Sequence, residues 1–158
     1  MNAAHLHILV NHMPMAFAIM ALFTMIVGFI GRNVSIKKLS LGMLVCVALA
    51  GVAAYFTGGA AEDSSFGEGS GYEERVEPHE EAAEVSWILG IVAGVVGLAA
   101  LLLTKRMQEF PAAFMVVSLL VLLVSMYFFA KTANLGGHIM HPETRGDGIS
   151  KFLNPPRE

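Results

Sequence analysis

The sequence predicts an all-α integral membrane protein, an up-down-up-down bundle of four helices with both termini on one side. Three features carry the expectation. Apolar residues make up 55% of the 158-residue chain and mean hydropathy is +0.62, whereas soluble domains average under half apolar. The excess gathers into four runs of about twenty residues without Asp, Glu, Lys or Arg, each long enough to cross roughly 30 Å of hydrocarbon. Short polar connections after the first and third runs favour antiparallel neighbours.

The first run, 10–30, has no charged side chain before Arg32. It is longer than the apolar core of a cleaved signal peptide and lacks the basic start, so it reads as a retained helix. Pro14 leaves the carbonyl of Val10 without its usual donor and must either start or kink that helix. The second run, 39–57, holds Cys46, the single cysteine, which excludes an intrachain disulfide and a CxxCH haem attachment. Gly58-Gly59 reads as a helix stop, opening an acidic loop over 58–84. Pro78 followed by HEEAAE reads as the start of the third helix, its acids complementing the helix dipole. The third run, 85–103, carries Gly90, Gly94 and Gly97 at spacings that suit close helix packing. Pro111 suits the first turn of the fourth, 111–130. Gly136-Gly137 reads as its cap, so a four-span bundle over 1–134 is followed by a polar tail, 135–158.

Charge sets the orientation. The loops after the first and third runs hold Arg32, Lys37, Lys38, Lys105 and Arg106 against one acid, Glu109, while the rest of the chain carries five basic and twelve acidic residues. By the positive-inside rule the basic loops face the cytoplasm. The expected setting is a bacterial inner membrane, crossed several times, with both termini periplasmic and lipid, not nucleic acid, as the surrounding.

All six histidines then fall at the outer end: His5 and His7 before the first run and His12 about a turn inside it, His79 before the third, His138 and His141 after the fourth. Imidazole is among the commonest metal ligands, and bundles build their sites from side chains on facing helices. Haem b needs two neutral imidazoles across its iron and an apolar slot. The Gly/Ala-rich stretches ALAGVAA and GIVAGVVG are expected to provide that slot. On one continuous helix His5 and His12 lie about 10 Å apart along the axis, so each ligand must pair with another helix. The expected pairs are His12 with His79, and His7 with His138 or His141 for a second haem. Ligating histidines donate their other N–H to a carboxylate, carbonyl or amide, a role open to Asn11, Glu80, Glu81, Glu84 and Asn134.

Other metal signatures fit less well. HEEAA lacks the second histidine of HExxH, and Glu-x-x-His pairs of a di-iron bundle are missing. The set His7, His12, His79, His138 and His141, with His5 as the remaining imidazole and Met13 and Met140 alongside, keeps copper or zinc open as a lesser reading. The acidic loop is suited to a basic periplasmic partner such as a cytochrome.

LHILVNHMP resembles the opening motif Leu-His-Pro-x-x-Val-His-Phe-Pro of an uncharacterised four-helix bacterial membrane family, with Ile8 in place of the usual proline. TANLGGHIMHPE is similar to that family's Gly-Gly…His ending, here with two histidines, and YFTGGAAE after the second run also agrees. Its members resemble small b-type cytochromes. The resemblance implies redox work on the outer face, with His7 and His12 matching the opening histidines and His138 or His141 the closing one.

The expected function is an electron-transfer subunit rather than a stand-alone enzyme. It would carry one or two b haems, pass electrons between quinol and a periplasmic or membrane-bound redox partner, and offer any quinone site to the outer leaflet. A non-catalytic anchoring or assembly subunit of a respiratory or photosynthetic complex is the alternative from another class, and periplasmic copper or zinc binding is a third.

Overall fold

The computed structural model describes residues 2–65, 73–107 and 111–141, and the regular structure among them is all helical. In chain order the helices are α1 (Ala3–Val10), α2 (Met13–Ile30), α3 (Val34–Ser65), α4 (Glu73–Leu103) and α5 (Ala112–Met140). Four stretches are long and apolar enough to cross a membrane: Ala3–Ile30, Val34–Glu62, Arg75–Leu103 and Ala112–Ile139. The outside agrees with that role, since Ile30 is 76% and Phe23 67% exposed on the bundle's surface.

Local chemistry sets the first break. Asn2 caps α1, its side chain accepting from the His5 backbone N–H at 2.9 Å. The chain turns at Asn11 and His12, and α2 begins with Pro14 inside its first turn, where the missing N–H costs nothing. Between α2 and α3, Arg32 takes a positive φ of 48°, and Asn33 accepts from the Ile36 N–H at 3.1 Å, capping α3.

Successive long helices run antiparallel. α2 packs on α3, α3 on α4 and α4 on α5, α5 closes back on α2, and α1 lies chiefly against α3. The core combines Ala18, Ala21 and Met25 of α2 with Leu41, Leu44 and Val47 of α3, Ala100 of α4 and Leu122 of α5. The buried hydroxyls of Ser40, Ser86, Thr104 and Ser125 fold back onto their own helices, as Thr104 does to the Ala100 carbonyl at 2.6 Å.

The glycines of α4 are spent on close packing. A Cβ on Gly97 would stand 2.7 Å from the Leu41 carbonyl oxygen, and one on Gly94 would collide with the Ala48 methyl. The Gly/Ala-rich faces of α3 and α4 are therefore filled by each other, and the porphyrin slot expected between them is not there.

Both expected glycine stops are also overridden. α3 runs on through Gly58-Gly59 to residue 65, α4 starts at Glu73 with Pro78 inside it, and α5 runs through Gly136-Gly137 to residue 140. Helix therefore occupies both ends of the expected 58–84 loop and the start of the expected 135–158 tail; residues 66–72 and 142–158 lie outside the described residues. A glycine ends a helix where the chain turns left-handed. In a low-dielectric setting, keeping the backbone bonded outweighs the ~1 kcal/mol that a helical glycine costs.

Candidate functional site

At one end of the bundle, α1, the last turns of α3, the first turns of α4 and the last turns of α5 come together. His7 projects from α1 onto α3. Its ring lies over Gly58, where a Cβ would meet the Cε1 atom at 3.2 Å, and its Nδ1 is 3.2 Å from the Thr57 hydroxyl. His79 projects from α4 onto α5 in the same manner. Its ring lies over Gly136, where a Cβ would meet Cε1 at 2.9 Å, and its Nδ1 is 3.0 Å from the Thr132 carbonyl oxygen. Both rings are half-buried, and they lie within electrostatic range of one another.

The partners fix which nitrogen carries the proton. A carbonyl only accepts, so His79 Nδ1 donates to Thr132. Neutral His79 is thereby left with a basic Nε2, the tautomer a metal or proton donor requires. The Thr57 hydroxyl lies 2.7 Å from the Ala53 carbonyl and 3.1 Å from the Ala54 carbonyl; with its hydrogen given to either, it is an acceptor for His7 Nδ1. Thr132 is itself held: Ser86 spends its hydrogen on the Ala82 carbonyl at 2.7 Å, and the Thr132 hydroxyl donates to Ser86 at 2.7 Å. This chain of bonds braces α4 against α5 directly behind His79.

Below the rings an aromatic layer spans α3 and α4, with Tyr55 stacked on Trp87 at 5.0 Å between centroids. Among the described residues three buried polar atoms have no hydrogen-bond partner: Trp87 Nε1, Ser118 Oγ and Arg75 Nε.

The other expected residues are placed differently. His12 is exposed at the start of α2 and within electrostatic range of His7, so the ring facing His79 from the first span is His7, in place of the expected His12. His5 is exposed. His138, half-buried, sits two residues beyond Gly136, and His141 caps α5 and is exposed. Asn11, Glu80, Glu81, Glu84 and Asn134 are exposed, and the bonds to Nδ1 expected of them come from Thr57 and Thr132. Among the described residues no three His, Cys, Asp or Glu side chains gather as a metal cage.

No protein-family model matches this chain, and no curated protein or solved structure matches it either. The geometry stands by itself: a multi-pass helical membrane protein with two oriented imidazoles, from α1 and α4, at one end of its bundle.

Proposed function

We propose that this chain is a haem-b-binding electron-transfer membrane subunit, in which His7 and His79 would hold the haem. The observation that carries the reading is the matched state of the two rings. They come from different helices, each is seated on a glycine, and each has its Nδ1 engaged by a partner on a neighbouring helix, which leaves Nε2 for a ligand. Bonds of that kind orient ligating histidines and raise their basicity. When bound, haem supplies a one-electron couple between them. Thr57 and Thr132 hold the rings, and Ser86 holds Thr132. Because each ring has one free nitrogen, a His7 engaged with His79 cannot also serve a second iron, and the reading is therefore of one haem.

Orientation follows from the basic loops, which put this end of the bundle on the periplasmic side of a bacterial inner membrane. With all six histidines toward that end, electrons enter from quinol in the outer leaflet and leave to a redox partner on the same side. The exposed glutamates Glu77, Glu80, Glu81 and Glu84 suit a basic partner.

One observation favours the second reading, a non-catalytic anchoring subunit: the α3–α4 seam is closed by glycine packing and offers no slot. Pyridine haemochrome and metal analysis of the purified protein separate the readings. Haem b near one per chain is expected; a blank in both leaves the anchoring subunit, and stoichiometric copper or zinc without porphyrin establishes the metal-binding alternative.

A further inference from the structure

Arg75 opens the inward stripe of α4. The stripe continues through His79, Ala82 and Ser86, at spacings that keep one face of a helix, and Ala82 and Ser86 are buried. Arg75 is half-buried, with Nε shut away and without a hydrogen-bond partner. Six glutamates share this end of α4, and four of them, Glu77, Glu80, Glu81 and Glu84, are exposed. A guanidinium is always charged, and a buried N–H left unmade costs the full desolvation of that group. An arginine with its Nε buried and unpartnered, one helical turn outside His79, is set to meet an anion arriving between the helices.

We propose that Arg75 anchors a propionate carboxylate of the macrocycle held by His7 and His79; the assignment rests on the haem reading above. A haem has an apolar body and one edge carrying two carboxylates. Burial sends the body toward the bundle and the acidic edge toward water, the direction in which Arg75 lies from His79. Its planar fork matches a carboxylate bidentately. An inorganic or lipid phosphate offers the same oxyanion chemistry, and the test separates these sources.

Full-length apoprotein in detergent is titrated with haem b and with its dimethyl ester, for the wild type, R75Q and R75K. The wild type is expected to bind the free acid about ten- to a hundredfold more tightly than the ester. R75Q loses that preference and binds haem about as weakly as the wild type binds ester, with the same low-spin spectrum, while R75K keeps part of the preference. Wild-type discrimination that persists in R75Q overturns the assignment. So does an Arg75-dependent rise in melting temperature with inorganic phosphate or anionic lipid vesicles while haem affinity ignores the substitution. A wild type that binds neither porphyrin overturns it together with the haem reading, an outcome distinct from the first two.

Discussion

His7 and His79 are legible in the sequence as candidate ligands, but the atoms that orient them are not. One is a backbone carbonyl, which no residue type announces, and the other is a threonine whose role depends on a neighbouring helix. The signal that could have found them is the glycine pair at each place. In both pairs the first glycine is tight against an imidazole and the second, Gly59 or Gly137, has open space where a Cβ would go. Gly136→Ala therefore pushes His79 off the Thr132 carbonyl and should weaken haem binding at least tenfold. Gly137→Ala should leave it unchanged, as read by haem titration of the two proteins side by side. Equal effects would mean that the glycines matter for the helix and not for the ring.

At the level of the helices, the apolar runs locate the crossings, but the glycine and proline signals misplace their ends. Those rules describe chains that end in water, whereas here neighbouring elements continue to pack on the last turns: α1 lies against the end of α3, and His79 reaches the end of α5. The glycines inside α4 have a different task, and a comparison tests it. Gly97→Ala puts a methyl against the Leu41 carbonyl and should cost about 1–3 kcal/mol. Gly42 of α3 has open space around its missing Cβ, so Gly42→Ala should be neutral or stabilising by up to ~1 kcal/mol. Thermal unfolding in detergent reads both, and a tolerated Gly97→Ala would contradict the close α3–α4 seam. Ser86→Ala should loosen the brace behind His79 by about 1 kcal/mol, seen as a lowered melting temperature.

For the whole molecule, four crossings and antiparallel succession follow from hydropathy and loop length alone. Which helices meet at the end that carries His7 and His79 does not, because periodicity says which face is apolar and not which neighbour covers it. Sidedness rests on the basic loops. In a Cys46→Ser background, E80C should react with a membrane-impermeant maleimide in intact spheroplasts, and R32C only after lysis. The reverse pattern would turn the end that carries His7 and His79 toward the cytoplasm.

The pairing of His7 with His79 is tested most directly by the reduced-minus-oxidised visible spectrum of four purified proteins: wild type, H7A, H79A and the triple variant H12A/H138A/H141A. A low-spin b-type spectrum is expected in the wild type and the triple variant, and its loss or conversion to high spin in H7A and in H79A. A spectrum that survives both single substitutions and disappears in the triple variant would contradict the account.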